Sequence, residues 1–389
     1  MSAARIDAIP EAATVAIADA AAAMRARGEA VIDLSAGRVA EPTPAFIVEA
    51  AVTAMRGGHT HQVPARGVRE YLQAVADRLA RVHGLQVDAD AEVIATAGCK
   101  QGLTLALAAI MVDGAEVIVE DPAFVSYAPT IALLGGTAVR VVTGPHTRWC
   151  ATAEALAAAV TGRTRAIVLC SPHNPAGVVH TPVDLEPIAR LARDRDLVVI
   201  ADEVYEAVIW GGRRHTPIAG LAGMRERTLG LLGLTKSHAM GGWRVGAAYG
   251  PAPLVARMVK AQQHLLTCAG SIAQHAGAVA LAAESDATMR PLWDAWERRV
   301  GGFVRELAGI RGLRATPPEA GFYAWVDVRE TGLDGDEFCR RLLRAQRIAA
   351  VPGSAFGPGS ADRVRLTAVK SDAELSEALA RLDRFTRGL

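Results

Sequence analysis

The chain has 389 residues, 51% of them hydrophobic and 21% charged, with a formal net charge of +1. A length above the ~250–300 residues at which one core usually divides makes two domains the expectation, and this apolar–polar balance describes an ordinary soluble globule. A nucleic-acid partner is not expected: such a face needs a clustered basic excess, and the arginines here are scattered among acids.

The alanine-rich run 12–24 carries Asp19 and has no basic segment followed by a strongly apolar core, so it does not read as a secretion signal. Apolar periodicity predicts helices over 12–27, 44–56, 68–83 and 101–112. A short strand at 93–96 feeds a turn at Gly98. Strands at 116–120 and 138–142 flank a helix that begins near Phe124. The uncharged stretch 122–139 is long enough to span a bilayer, but Pro122, Pro129 and Gly135-Gly136 make it a loop, a helix and a turn, so no membrane partner is expected.

Apolar runs at 166–170 and 197–201 have the length of buried parallel strands. The helix between them starts near Val183, after Thr181-Pro182, with Asp184 and Glu186 in its first turn. Further strands fall at 229–232 and 244–249. From about Leu254 to Leu307 the chain is helix-rich. A strand at 323–328, a helix at 334–345, strands at 348–351 and 364–367, and a helix at 372–387 follow, with Asp334 and Asp372 as N-caps. The βαβ rhythm, with right-handed crossovers, defines an α/β fold. A large domain at 41–285 carries a mostly parallel seven-stranded sheet flanked by helices. A smaller α/β domain joins residues 1–40 to 286–389. The five cysteines, at 99, 150, 170, 268 and 339, are odd in number and lack zinc-type pair spacing, so they read as reduced thiols of a cytoplasmic protein with no metal site.

The chemistry gathers at the ends of these elements. Lys236 lies in Gly233-Leu234-Thr235-Lys236, and Gly242-Trp243-Arg244-Val245-Gly246 follows it. Upstream are Ser171-Pro172-His173-Asn174-Pro175-Ala176-Gly177 and Ala201-Asp202-Glu203-Val204-Tyr205. Each piece alone is weak; together, in this order, they make a set for holding pyridoxal 5′-phosphate. The lysine amine forms a Schiff base with the aldehyde and serves later as general base. An aspartate pairs with the pyridinium nitrogen and keeps it protonated, so that the ring acts as an electron sink. An arginine takes the phosphate.

Asp202 follows an apolar strand, at the carboxyl end where open α/β sheets place their ligands. A carboxylate buried there needs a cation; the alternative is a helix N-cap. Tyr205 and Asn174 are placed to reach the cofactor's phenolic oxygen, although Asn174-Pro175 alone is only a turn signal. Gly98, Cys99 and Lys100 open a helix whose first N–H groups, with Thr235 and Arg244, form a phosphate cup. The Cys99 thiol either lines the site or is an inert buried group. Phe124 is placed to stack on the pyridine ring, unless it is a core aromatic. Arg365, between Val364 and Leu366, needs an anion; its planar fork suits a substrate α-carboxylate, the alternative being a structural salt bridge.

These motifs resemble those of the class I/II aminotransferases of fold type I, from Leu34-Ser35-Ala36-Gly37 to the final helix. They look most like the prokaryotic branch of the aspartate aminotransferases, which share a Gly-x-Lys-Gln stretch like Gly98-Cys99-Lys100-Gln101 and a lysine loop like Gly233-Leu234-Thr235-Lys236. The resemblance implies a homodimer with active sites at the subunit boundary, acting on an amino acid and a 2-oxo acid. It assigns Lys236 to the Schiff base, Asp202 to the ring nitrogen, Asn174 and Tyr205 to the ring hydroxyl, Arg244 to phosphate and Arg365 to the substrate carboxylate. It also implies a backbone contact from Gly37 to substrate and a distal-carboxylate role for Lys100.

Four departures surround the pocket. Gln62 stands where the family has a tyrosine that reaches the neighbouring subunit's cofactor phosphate. Gly37-Arg38-Val39-Ala40 replaces Gly-x-Pro-Asp, and Arg38 adds a cation at the substrate entrance. His238 replaces an aromatic, and Gly241 replaces a threonine. The reading is an aminotransferase working in two half-reactions, possible substrates being aspartate and glutamate. One alternative is an enzyme of the same fold catalysing cyclisation, β- or γ-elimination or replacement, or decarboxylation. The other is a regulator that uses the domain as a sensor, for whose added DNA-binding domain there is no room before Leu34.

Overall fold

The structure, a computed structural model, describes residues 5–389; the first four residues of the 1–40 segment lie outside it. In chain order the strands are β1 (Ile32–Asp33), β2 (Val93–Thr96), β3 (Glu116–Asp121), β4 (Thr137–Val142), β5 (Thr164–Cys170), β6 (Val198–Asp202), β7 (Thr228–Gly233), β8 (Gly246–Tyr249), β9 (Arg314–Ala315), β10 (Tyr323–Asp327), β11 (Ile348–Ala349), β12 (Val351–Pro352) and β13 (Arg363–Thr367).

Seven of them form one sheet in the order β2-β8-β7-β6-β5-β3-β4. β4, β3, β5, β6 and β7 run parallel; β8 is antiparallel to both its neighbours. The sheet is covered on both faces, which is why β5 and β6 read as unbroken apolar runs. Side chains still alternate: Val168, Cys170 and Ile200 enter one core, Ile167, Leu169, Val199 and Ala201 the other. A second, antiparallel sheet has the order β12-β13-β10-β9. Its core, around Phe303, Phe338, Leu342 and Phe385, also takes in Ile32 and Leu34, because β1 pairs parallel with β11.

The structure corrects several boundaries. The strand expected at 244–249 begins at Gly246, since Arg244 adopts a left-handed φ of 54°. The helix expected near Phe124 starts at Tyr127. The single strand expected at 348–351 is two short ones, β11 and β12, which pair in different sheets. Asp334 caps its helix, accepting from the Glu337 N–H at 2.8 Å. Asp372 does not; the Ser371 hydroxyl, one residue earlier, accepts from the Glu374 N–H instead. The helix-rich stretch is three helices, Ala252–Leu265, Ser271–Leu281 and Ala283–Ala308. No helix among the described residues is long and apolar enough to cross a membrane.

The loop after β6 is anchored from below by buried charge. Glu206 accepts from Nε and Nη2 of Arg78 at 3.0 and 2.8 Å, and its other oxygen lies 3.1 Å from His83 Nε2. The same guanidinium donates to Asp286 at 3.0 Å. Burial alone would raise the Glu206 carboxyl, but Arg78 and then His83 hold it well below the usual carboxylate range. A depressed carboxyl stabilises the fold above its ordinary value of 4.5 and loses that contribution as the pH falls toward the folded value. Arg78→Met would leave Glu206 buried without its guanidinium. We expect a loss of about 3–5 kcal/mol in urea unfolding at pH 7, shrinking as the pH falls below the carboxylate range. An unchanged unfolding midpoint would contradict this.

Candidate active site

The carboxyl ends of β5, β6 and β7 open into one cavity. Its lining includes Cys99, Lys100, Phe124, Tyr127, Cys170, Asn174, Asp202, Tyr205, Thr235, Lys236, Arg244 and Tyr323.

Asp202 is the last residue of β6 and is buried. The Tyr127 hydroxyl donates to its Oδ2 at 2.7 Å, and the Val204 N–H to Oδ1 at 3.3 Å. The second bond is the local turn that an N-cap reading anticipates. Burial nevertheless pushes the carboxyl above its ordinary range, with the Tyr127 bond opposing. A carboxylate so placed, with no ion pair among the described residues, is a receptor for a cation.

Lys236 lies in the short helix Leu234–Ser237 that follows β7. Its Nζ donates to the Gly37 carbonyl at 2.7 Å. Gly37 must be glycine, because a Cβ there would overlap the Tyr323 hydroxyl. The lysine loop is fixed from behind: Trp293 Nε1 donates to the Ser237 carbonyl at 2.7 Å, and His238 packs edge-on against the Trp293 ring.

Arg244 donates to two backbone carbonyls, Gly241 and Ala97, each at 3.1 Å, and to no carboxylate among the described residues. It faces the first turn of the helix Cys99–Ile110. Gly98 has a φ of +85°, so the turn requires glycine, and the Arg244 guanidinium packs directly over it. A cation with only carbonyl partners beside a helix N-terminus is a phosphate cradle. Lys100 stands at the exposed mouth, 5.8 Å from the Phe124 ring centroid, and its pKa is lowered by burial and then by Arg244. The Cys99 sulfur packs against Gly233, and burial, then Asp202, push its thiol well up. That supports the inert reading of this cysteine even though it lines the cavity.

Arg365 is buried on β13 and is not in the cavity lining; Asn174 and Tyr323 lie between. Its Nη1 donates to Asn174 Oδ1 at 3.2 Å and its Nη2 to the Ser35 carbonyl at 2.8 Å. It stacks on Tyr323 at 4.1 Å and on Phe356 at 4.7 Å, and its Nε has no hydrogen-bond partner. Among the described residues Arg365 forms no structural salt bridge, the alternative to a carboxylate-binding role. Gln62 and Arg38 are exposed and lie outside the lining of this chain's cavity.

Two functional residues escaped the sequence reading. Tyr127 is simply the first residue of a helix, and nothing in its neighbours signals a bond to a strand end 75 residues away. Tyr323 opens β10 opposite Thr367, diagonal to Arg365 across the strand pair. A register drawn from the two strands would have placed it there.

An amine on a pinned loop, a buried carboxylate without a cation and an arginine held only by carbonyls fit pyridoxal 5′-phosphate. Known proteins agree. The family profile Aminotransferase class I and II matches residues 29–382. An aspartate aminotransferase of Pyrococcus abyssi is 36% identical over 92% of both chains. An arginine–pyruvate transaminase of Pseudomonas aeruginosa is 37% identical over 92% of this chain and 90% of its own. The aspartate aminotransferase of Thermus thermophilus, solved with maleate, superposes with a TM-score of 0.93 at 35% identity, covering 99% of this chain and all of its own.

The chain belongs to the class I and II aminotransferases. It has the fold type I architecture and is a pyridoxal-phosphate-dependent enzyme that moves an amino group between an amino acid and a 2-oxo acid.

Tyr127→Phe removes one hydrogen bond from a buried charge. We expect kcat/KM to fall roughly 5- to 30-fold, the equivalent of about 1–2 kcal/mol, in steady-state assays. No change would mean that the Tyr127 hydroxyl does not set the state of Asp202.

Proposed function

We propose that Lys236 carries the cofactor and moves the proton, and that the amino donor is an acidic amino acid. Arg244, Thr235 and the backbone N–H groups of Cys99 and Lys100 would hold the phosphate, and Phe124 would cover the ring. Asp202 would accept the ring N–H, and Asn174 and Tyr205 would donate to the ring oxygen. The bound cofactor supplies an electron sink for the pair left at the substrate Cα. Arg365 binds the substrate α-carboxylate with its planar fork, and the Gly37 backbone borders the same space. Lys236, once free, would take the substrate Cα proton on Nζ and would deliver it to the cofactor's C4′ carbon. Water then releases the 2-oxo acid, and a second oxo acid takes the amino group back along the same path. The observation that carries this reading is the joint presence of Lys236 and Asp202 in one cavity, with Asn174 linking it to Arg365.

The acidic donor follows from Lys100, a cation at the cavity mouth; Arg38, exposed and outside the cavity lining, adds no contact to this argument. The names of the relatives, aspartate aminotransferases among them, favour the same donor. The working unit is a cytoplasmic homodimer in which Gln62 donates to the neighbour's phosphate. Exposed apolar side chains at Val48, Met55, Leu265 and Leu266 favour an assembly. The domains divide at 41–285 against 1–40 with 286–389, in line with a separate core around Phe338.

Borohydride reduction of the yellow holoenzyme, followed by peptide mapping, is expected to fix the cofactor on Lys236; a label on Lys100 or Lys260 would overturn the assignment. Lys236→Ala is expected to lose turnover by several orders of magnitude while still binding the cofactor.

Lys100→Ala should weaken kcat/KM for aspartate and glutamate by about 1.5–3 kcal/mol while sparing alanine. Equal losses on aspartate and alanine would remove Lys100 from that role. Release of ammonia from the donor without transfer to 2-oxoglutarate would favour an elimination enzyme instead.

A further inference from the structure

Two rings border the Arg365 guanidinium, Tyr323 at 4.1 Å and Phe356 at 4.7 Å. Tyr323 belongs to β10, the strand paired with β13. Phe356 belongs to no strand. It ends the short helical turn Gly353–Phe356 between β12 and β13, and its ring packs edge-on against Trp325 at 5.5 Å. Its backbone is docked on the other sheet. The Phe356 carbonyl accepts from the Ala123 N–H at 2.8 Å and from Arg140 Nη1 at 3.3 Å. Ala123 follows the end of β3, and Arg140 lies on the edge strand β4.

Asp121, the last residue of β3, faces the same peptide. A Cβ on Gly357 would overlap its carboxylate. The Asp121 side chain is buried, and neither oxygen has a hydrogen-bond partner. Its one ion pair among the described residues is with Arg140 Nη1, at 4.0 Å. Burial pushes the carboxyl above its ordinary range, and Arg140 opposes that. One guanidinium nitrogen therefore serves two oxygens, the Asp121 carboxylate and the Phe356 carbonyl. Without the cation, these two acceptors would share a buried space with no charge between them, and the attraction that docks the 356–357 peptide would turn to repulsion.

We propose that Arg140 is a positioning residue for substrate binding. Anchored on Asp121, it holds the Phe356 carbonyl, and the Phe356 ring in turn holds the Arg365 fork where a substrate α-carboxylate meets it. Arg140 is not part of the cavity lining, so it acts only through Phe356. Every amino acid and 2-oxo acid carries an α-carboxylate. Arg140 therefore affects all substrates alike, unlike Lys100, whose proposed partner is a distal carboxylate.

The inference rests on Arg365 as the receptor for the α-carboxylate, and the experiment separates the two. Steady-state KM and kcat of the holoenzyme are measured for aspartate, alanine and 2-oxoglutarate. Arg365→Leu should raise KM for aspartate and alanine alike; unchanged values would end that reading and this inference together. Arg140→Met is expected to raise KM for all three substrates about 3- to 10-fold, with kcat within about twofold. Arg140→Gln, which keeps an N–H for the Phe356 carbonyl, should give a smaller rise. Phe356→Leu should raise KM as well, and adding Arg140→Met to it should change KM by less than about twofold, because both act through one ring. Adding Asp121→Asn to Arg140→Met should bring KM back toward the wild-type value, since the uncompensated carboxylate is gone; a residue that only supports the fold would be weakened further by the second change. Unchanged KM in Arg140→Met, with Arg365→Leu impaired, overturns the role of Arg140 alone. Rises that multiply when Arg140→Met and Phe356→Leu are combined overturn it too, since Arg140 would then not act through Phe356. So does a fall in kcat with KM retained, which would place the effect of Arg140 in the chemistry and not in substrate binding.

Discussion

The site depends on a carboxylate in a place where a carboxylate is costly. Asp202 ends a central strand of a sheet covered on both faces, so its charge has little access to water. The chain provides it with a tyrosine hydroxyl and one backbone N–H, and no cation close enough for an ion pair. Burial still outweighs those bonds. The missing charge is one that a protonated pyridine nitrogen would carry, and in the proposed pairing cofactor and carboxylate would stabilise each other's ionised form. The same logic applies at the other end of the cavity, where Arg244 is met, among the described residues, only by carbonyl oxygens, the setting in which we propose that it takes the phosphate.

Around this axis the two sheets are joined by polar contacts and by a shared apolar cluster in which Tyr205, Val208 and Trp210 meet Phe322 and Tyr323. Arg365 on β13 reaches Asn174 beyond β5 and the Ser35 carbonyl beyond β1. Lys236 reaches the Gly37 carbonyl, and Tyr205 reaches Tyr323 on β10. In the proposed roles of Arg365 and Lys236, the substrate's anion and the reacting amine would be held by opposite sides of one junction.

Much of this was legible in the chain. The apolar runs of β5 and β6 marked buried parallel strands, and the residues just past their ends, Asn174 and Asp202, followed from where such sheets keep their ligands. Lys236 and Arg244 were readable because they flank a glycine-rich loop after another strand. What escaped was whatever depends on contact between distant segments. The hydroxyl of Tyr127 acquires its meaning from Asp202, 75 residues away, and no local period encodes such a meeting; the ring of Tyr323 acquires its meaning from Arg365, through the pairing of two strands. The capping serine at 371 was missed for a local reason: Ser and Asp are adjacent and cap almost equally well, so the pattern did not distinguish them. Gln62 and Arg38 were legible only as departures from a family pattern; within one chain both lie at the surface, outside the cavity lining.

The central claim is that Asp202 holds a proton on the cofactor's ring nitrogen. Reconstituting the enzyme with cofactor labelled with ¹⁵N in the ring, and following the nitrogen resonance with pH, reads that proton directly. The account expects a protonated nitrogen across the neutral and mildly alkaline range in the wild-type enzyme, and its loss in Asp202→Asn. An unprotonated ring nitrogen in the wild-type enzyme, or one indifferent to Asp202→Asn, would contradict the account.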